Sequence, residues 1–223
     1  MTFSVIGTDG KGRFGLAVSS SSPAVAARCT HLRDAVGAVS SQNITDPRLG
    51  VLILDLMESG AGAQQALEAA LVDYPDSAFR QITVLDAASN TAVFHGAETL
   101  GIHGTGVAAH CIAAGNMLAN EGVPQAVADR FEAAQGELEF KLLAALQAGA
   151  AAGGEAGPLH SSGLAVVSGH GWRDTDLRVD WHEDPIGELA RVLEIWMPQR
   201  DAYVVRALDP ATSEGYGVPG DAR

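Results

Sequence analysis

The short turn formed by residues 9–12 (Asp-Gly-Lys-Gly) constrains the fold of this chain more than any other feature. Runs that alternate in the manner of a strand stand on both sides of it, at residues 2–8 and 13–20. A glycine-containing turn between two such runs is typical of a β-hairpin. Because so short a turn reverses the chain, the two strands must pair antiparallel. We therefore expect the chain to begin with an antiparallel hairpin rather than a strand–helix–strand crossover.

The rest of the chain contains further strands joined by short turns, with helices inserted in pairs. Strands are predicted at residues 36–43, 79–86, 91–96, 100–103, 108–113, 162–168 and 176–180. Apolar residues at helical spacing predict helices that begin at Pro47, Ala63, Pro124, Leu138 and Pro185. Short connections favour antiparallel sheets, so the sequence predicts an α+β fold with sheets in the middle and helices outside. We expect one domain over residues 1–208 and an irregular tail over residues 209–223.

Charge and apolar pattern argue against several classes of partner. The net charge is −13, and the lysines are Lys11 and Lys141. Such a surface repels phosphate backbones, so we expect no nucleic-acid partner. No apolar run reaches the roughly 18 residues of a membrane helix, and no signal peptide precedes the first strand, which predicts a cytoplasmic protein without a membrane partner. The seven histidines and two cysteines lack metal-ligand spacing, so we expect no metal and no other cofactor.

One glycine-rich stretch resembles a nucleotide-binding motif. Residues 104–109 (Gly-Thr-Gly-Val-Ala-Ala) fit the spacing of a dinucleotide-binding loop. That loop needs a long strand before it and a helix after it, and Gly115-Asn116 interrupts any helix here. We therefore interpret the match as accidental.

Thr2 is the residue with the clearest chemical potential. If Met1 is removed, Thr2 carries both a hydroxyl and a free α-amine. A hydroxyl is a weak nucleophile on its own, and an N-terminal amine is a base that is always within its reach. The ordinary pKa of such an amine is about 8, so part of the amine is neutral near pH 7–8 and can accept the hydroxyl proton. Thr2 is therefore a candidate N-terminal nucleophile.

Other polar residues stand at strand ends and turns, surrounded by small residues. A site that stabilises an oxyanion needs neutral donors aimed at one point, and Asn43 and Asn116 have the right chemistry. Candidate substrate-binding residues with hydroxyl or imidazole groups are Ser20, Ser21, His160 and Ser161. Serine and asparagine also commonly cap turns, and the sequence leaves both explanations open.

Six segments of the chain resemble one bacterial family. They are residues 1–6 (MTFSVI), 15–20, 36–43, 79–81, 114–118 and 176–180. On these residues the chain is similar to the family catalogued as domain of unknown function 1028, placed in the N-terminal nucleophile (Ntn) hydrolase superfamily. The resemblance covers nearly the whole chain. Residues 152–161 depart from the commoner family form and look like a subgroup that also shares residues 216–221.

The resemblance implies a four-layer αββα sandwich, in which two antiparallel sheets lie between helical layers. It also implies that Thr2 is the nucleophile of an amidohydrolase, with its α-amine relaying the proton. Proteasome-type members of the superfamily add a lysine beside the nucleophile, and neither lysine of this chain is well placed for that. Arg28, Arg33 or Arg80 would then have to lower the pKa of the amine or bind substrate.

Three functions remain open from the sequence. The first is hydrolysis of a small amide or peptide-like metabolite through Thr2 after loss of Met1. The second is a catalytically silent binding or assembly protein, favoured by the missing lysine and by the Met1 that precedes Thr2. The third is a hydrolase with another nucleophile, such as Ser20, Cys111 or Ser161. We also expect a homodimer, because apolar helix faces and Ala/Gly-rich loops offer a contact surface.

Overall fold

The computed structural model describes residues 1–220 of the chain. Within these residues the chain forms ten strands and six α-helices. The strands are β1 Thr2–Thr8, β2 Phe14–Ser20, β3 Thr30–Arg33, β4 Gly37–Asn43, β5 Arg80–Asp86, β6 Thr91–His95, β7 Gly104–Ala108, β8 Cys111–Asn116, β9 Ser161–Val167 and β10 Arg173–Val179. The helices are α1 Ala26–Cys29, α2 Pro47–Glu58, α3 Ala63–Leu71, α4 Val123–Ala133, α5 Leu138–Ala151 and α6 Pro185–Leu208, with a 3-10 turn at Ser77–Phe79.

The strands form two antiparallel sheets. One has six strands in the order β10-β9-β2-β1-β8-β7, and the other has four in the order β3-β4-β5-β6. The first hairpin is confirmed, since β1 pairs with β2 from Phe3 opposite Ser19 to Thr8 opposite Phe14. The other edge of β1 pairs with β8. β1 is therefore an interior strand of the larger sheet.

Three apolar clusters separate four layers. The first lies between the six-stranded sheet and helices α4, α5 and α6, and contains Val5 and Leu189. The second, which includes Ile53, lies between the four-stranded sheet and helices α2 and α3. The third lies between the two sheets and contains Ile6 and Leu85. The chain thus forms the expected layered α+β sandwich, with two antiparallel sheets between helices.

β1 is buried on both faces because it lies in the middle of this sandwich. All seven of its residues are buried. Phe3 and Val5 belong to the cluster beside the helices, whereas Ile6 belongs to the cluster between the sheets. A Cβ atom on Gly7 would lie 2.2 Å from Cζ of Phe131, so this position has room only for glycine. Two different cores therefore hold β1, and with it Thr2, in place.

One predicted strand is wrong and another is displaced. Residues 100–103 form a bend, whereas the strand predicted at residues 108–113 is interrupted by the turn at residues 109–110, and its residues 111–113 begin β8. The glycine-rich residues 104–108 are strand β7 rather than a nucleotide-binding loop. Their small size is explained by helix α4, because a Cβ atom on Gly106 would lie 2.2 Å from the carbonyl oxygen of Pro124. This packing between distant segments is not visible in the local sequence pattern.

The structure contains two short elements that the sequence did not predict. Helix α1 is a single turn, and β3 is a four-residue edge strand that pairs with β4. Both are too short for a hydrophobic period to identify.

The C-terminal part of the chain continues beyond helix α6. Residues 209–220 contain no helix or strand, and residues 221–223 of the expected tail lie outside the described residues. The ring of Tyr216 packs against α6, where its centroid lies 6.5 Å from that of Tyr203. None of the helices in residues 1–220 has the length and apolar character needed to span a bilayer.

Candidate functional site

The start of β1 lies beside the ends of its neighbouring strands. Thr2 is opposite Asn116, the last residue of β8. On the other side, β2 ends at Ser20, which is in turn opposite Ser161 at the start of β9. Antiparallel register therefore brings these four residues, predicted separately from the sequence, to one end of the six-stranded sheet. We call Thr2, Ser20, Asn116 and Ser161, together with Glu155 described below, the strand-end site.

Two hydroxyl groups surround the carbonyl oxygen of Met1. The Thr2 hydroxyl donates to this oxygen at 2.5 Å, and the Ser20 hydroxyl also donates to it. The two hydroxyl oxygens lie 3.3 Å apart. The backbone N–H of Ser22 donates to Ser20 Oγ at 3.0 Å, which leaves the Ser20 proton free for the carbonyl. The peptide bond between Met1 and Thr2 is therefore held by donors at a buried strand end.

Glu155 places a carboxyl group next to this end of the sheet. The backbone N–H of Ser21 donates to Glu155 Oε2 at 3.2 Å, while Oε1 is buried with no partner among the described residues. Burial raises the pKa of the Glu155 carboxyl to about 7, and the Met1 α-amino group and Ser21 oppose that rise. Glu155 was not among the residues predicted from the sequence, because residues 150–157 are otherwise only alanine and glycine, which predicts a loop without functional side chains. The one available signal was a single acidic residue among alanines and glycines.

A chain of buried amides crosses between the two sheets behind the site. Gln81 Nε2 donates to the carbonyl oxygen of Gly115 at 2.8 Å. A carbonyl can only accept, so this contact fixes which end of the Gln81 amide is nitrogen. Gln81 Oε1 then accepts from Gln42 Nε2 at 2.7 Å and from Asn116 Nδ2 at 2.9 Å. One backbone carbonyl thus determines the orientation of three side-chain amides.

This network determines what Asn116 can offer to a ligand. Its Nδ2 atom is engaged by Gln81, and its Oδ1 atom is buried without a partner among the described residues. Gln81 uses one of the two N–H groups on Nδ2, so the groups of Asn116 that have no partner within residues 1–220 are the acceptor Oδ1 and one N–H donor. The same geometry suits an amine or an amide N–H.

Comparison with known proteins identifies the family. A model described as "Family of unknown function (DUF1028)" matches residues 2–189. The chain belongs to the DUF1028 family. It is similar to the crystal structure of protein SPO2555 from Silicibacter pomeroyi, a DUF1028 protein, with 29% identity and a TM-score of 0.82 over 87% of this chain and 85% of that chain. No curated protein matches the chain at a significant level.

The DUF1028 match confirms the resemblance read from the sequence. The matched residues contain the whole strand-end site, from Thr2 to Ser161. The family is described as one of unknown function, so its name assigns no activity. The chemistry of this DUF1028 protein must therefore be argued from the geometry of the site.

Three of the predicted site residues hold backbone segments together instead. Asn43 donates to the carbonyl oxygen of Phe79 at 2.7 Å and accepts from the backbone N–H of Leu100 at 3.2 Å. Arg28 donates to the carbonyl oxygens of residues 23 and 24. Arg80 donates to the carbonyl oxygen of residue 44. Each of the three side chains thus bonds neighbouring backbone, while Nε of Arg80 is buried without a partner among the described residues.

The remaining predicted residues lie around Ser20. The backbone N–H of His160 donates to the carbonyl oxygen of Ser20 at 2.9 Å, and its ring stacks on Trp181 with centroids 4.2 Å apart. Ser161 Oγ donates to the carbonyl oxygen of Ser22 at 2.6 Å and accepts from a backbone N–H. Ser21 contributes its backbone N–H to Glu155. The structure thus brings all of these residues to the same sheet end as Thr2.

The basic residues and the cysteines lie in other surroundings. Lys11 and Lys141 line a depression next to Thr8, at the opposite end of β1 from Thr2. Arg33 forms ion pairs of 2.7 Å with acidic residues of helix α2. Burial raises the pKa of the Cys111 thiol to about 12, which disfavours a nucleophilic thiolate. No group of three or more potential metal ligands occurs within residues 1–220.

His95 extends the amide network and gives it a pH dependence. The second proton of Gln81 Nε2 points to His95 Nδ1 at 2.9 Å, so Nδ1 must accept and Nε2–H donates to Thr105 Oγ1 at 2.7 Å. Burial, followed by the charge of His103, lowers the pKa of His95 from its ordinary value of 6.5. Protonation would place a second N–H against the Gln81 amide. The folded protein therefore favours neutral His95.

We expect stability to fall as the pH drops below about 6.5, because the unfolded chain then binds a proton that folded His95 resists. This group contributes a slope of up to about 1.4 kcal/mol per pH unit until the folded pKa is reached. Urea unfolding of wild type and His95→Gln at pH 7 and pH 5 measures this contribution of His95 to the free energy of unfolding. The variant should lose less stability than wild type over this interval. Equal losses in the two proteins would contradict the lowered pKa of His95.

Proposed function

We propose that this DUF1028 protein is an Ntn-type amidohydrolase that uses Thr2 as its nucleophile after Met1 is removed. The observation that carries the proposal is the carbonyl oxygen of Met1, which accepts hydrogen bonds from the Thr2 and Ser20 hydroxyls at a buried strand end. An acyl carbonyl is held here beside a hydroxyl on the first strand of the sandwich. The proposed substrate is a small amide or peptide-like molecule.

The bond changes and proton transfers of the reaction need only the hydroxyl and α-amine of Thr2 and one water molecule. The Thr2 hydroxyl oxygen attacks the amide carbonyl carbon, and its proton passes to the neutral α-amine. The C–N bond then breaks, the leaving nitrogen takes that proton, and an ester of Thr2 remains. Water attacks the ester carbonyl and gives a proton to the α-amine. The ester bond breaks, and the proton returns to the Thr2 oxygen as the carboxylic acid leaves.

Ser20 is the proposed donor to the oxyanion. A donor to a developing negative charge must already be aimed before reaction, because its reorientation would cost free energy. The hydrogen bond from the N–H of Ser22 fixes the Ser20 oxygen, and its proton points to a carbonyl oxygen. Asn116, whose Oδ1 acceptor has no partner among the described residues, is proposed to hold an N–H group of the substrate. These roles replace the single oxyanion role considered from the sequence.

The lack of a lysine near Thr2 is compatible with this chemistry. In the form that retains Met1, Thr2 is only 5% exposed, so the amine released by loss of Met1 lies at a buried strand end, and burial disfavours the charged form of an amine. A neutral amine is the form that accepts the hydroxyl proton. We therefore propose that burial lowers the pKa of the Thr2 amine in this protein, as a neighbouring lysine does in proteasome-type enzymes.

The two forms of the protein provide the test. We would prepare the chain with and without Met1, verify both by intact mass, and assay both against a panel of small amides. The form without Met1 should hydrolyse at least one amide, and the form with Met1 should be inactive. Equal activity of the two forms would indicate another nucleophile, such as Ser161. Inactivity of both would favour a binding or assembly protein. The cytoplasmic location and the homodimer stay predictions.

A further inference from the structure

Met1 occupies the strand-end site in the way that part of a substrate would. Its carbonyl oxygen accepts from Ser20, as described above. Its side chain lies against Gly157, where a Cβ atom would come within 2.9 Å of the Met1 methyl carbon. Its α-amino group acts electrostatically on Glu155. The carbonyl and the side chain of Met1 thus each have a partner in the site, while its amine acts on Glu155 through its charge and forms no ion pair with it.

The position of Met1 is informative because of where an acyl group would be attached. In the proposed reaction the acyl group is bound to the Thr2 hydroxyl oxygen. Met1 is bound to the Thr2 nitrogen, which is joined to that oxygen through only two carbon atoms. The Thr2 hydroxyl oxygen already lies 2.5 Å from the Met1 carbonyl oxygen. An acyl group on oxygen therefore reaches the surroundings that Met1 occupies.

Glu155 is an independent indication of a cationic ligand. The residue is 5% exposed, and its Oε1 atom has no partner among the described residues. Two contacts hold the loop that carries Glu155: its backbone forms an isolated β-bridge with Leu118, and its carboxylate accepts a hydrogen bond from the N–H of Ser21. A buried carboxylate is costly unless it is paired with a cation or hydrogen-bonded. An ammonium group that lies closer to Glu155 than the Met1 amine does would satisfy the oxygen that is left over.

We propose that the site takes amides whose acyl group carries a free α-amino group, that is, aminoacyl amides or the first residue of small peptides. Glu155 pairs with the substrate ammonium, Ser20 donates to the carbonyl, and an apolar side chain lies against Gly157. Water and the amide give a free amino acid and an amine. This inference rests on the proposed function for its chemistry, but the ammonium contact can be measured without turnover.

The kinetic test uses matched substrates on the protein without Met1. Methionyl p-nitroanilide carries the ammonium, while N-acetylmethionyl p-nitroanilide and 4-(methylthio)butanoyl p-nitroanilide do not. We expect kcat/KM to be about 10- to 100-fold higher for the free amine, the range of one charged hydrogen bond. Glu155→Gln should abolish this preference. Glu121→Gln, which changes an exposed glutamate in the turn before helix α4, should retain it.

A binding test separates this inference from the proposed function. Calorimetry on Thr2→Ala without Met1 compares L-methionine amide with N-acetylmethionine amide. Binding of the free amine that is lost in the Thr2→Ala/Glu155→Gln double variant supports the inference even if no amide is hydrolysed. Equal turnover or equal binding of acetylated and free compounds overturns it, and so does binding of neither. If Glu155→Gln slows all substrates equally and shifts the pH profile, Glu155 pairs with the amine of Thr2 itself, which also overturns it.

Discussion

Thr2→Val is expected to abolish amide hydrolysis while leaving the fold intact. Valine has the shape of threonine but carries a methyl group in place of the hydroxyl, and Thr2 is buried at the end of an interior strand. Loss of a nucleophile typically lowers kcat by about 10⁴-fold or more. The variant should be measured without Met1, on the best amide found for the wild type. Thermal unfolding should show a change of no more than about 1.5 kcal/mol, the net contribution of one intramolecular hydrogen bond.

Thr2→Ser is the matched control for this substitution. Serine retains both the hydroxyl and the α-amine, so a measurable fraction of the activity should remain. If Thr2→Val kept wild-type activity, the nucleophile would have to be another group, and Ser20 and Ser161 would be the first to test. If serine were as inactive as valine, the hydroxyl would not be the reacting group.

Gln81→Leu is expected to destabilise the protein more than any surface change. Gln81 is fully buried and contacts Gly115, Gln42, Asn116 and His95. Leucine removes one partner from each of these groups, and the groups on Gly115, Gln42 and Asn116 stay buried. Each unsatisfied group costs about 1–3 kcal/mol, so we expect a total loss of about 3–5 kcal/mol after some relaxation. Urea unfolding at pH 7 measures it.

Gln64→Leu is the control for this variant. Gln64 is exposed on helix α3 and bonds only Glu68 one turn away, so its substitution should change stability by less than about 0.5 kcal/mol. A loss of less than about 1 kcal/mol in Gln81→Leu would show that the two sheets are held by their apolar cluster alone. The orientation of Asn116 would then lack the support assigned to it here.

Much of the sandwich could be predicted from the sequence because the turns are local. The turn at residues 9–12 reverses the chain by its own chemistry, and the alternation in β1 already separates its two faces. β7 could not be predicted in the same way, because its glycines are explained by the close approach of Pro124 in helix α4. The only sign of such a contact in the sequence is a run of small residues, and small residues are also common in loops.

The site was predictable to a similar degree. Thr2 and Ser20 stand at strand ends, and the register of neighbouring strands makes them meet. Asn43 also stands at a strand end, but its sheet is the other one, and its side chain bonds local backbone. Composition and spacing do not distinguish a strand-end residue that lies in the site from one that only bonds the neighbouring backbone. Glu155 could be assigned to the site only from the structure, which places the loop after helix α5 next to Ser21.

The central claim is that Thr2 is the nucleophile of this DUF1028 protein, and covalent labelling tests it most directly. The protein without Met1 would be treated with an electrophilic β-lactone, digested, and mapped by mass spectrometry. We predict one acyl group, attached to the Thr2 residue, and no labelling of the form that retains Met1. Labelling of Ser20, Cys111 or Ser161 in place of Thr2, or equal labelling of both forms, would contradict the claim.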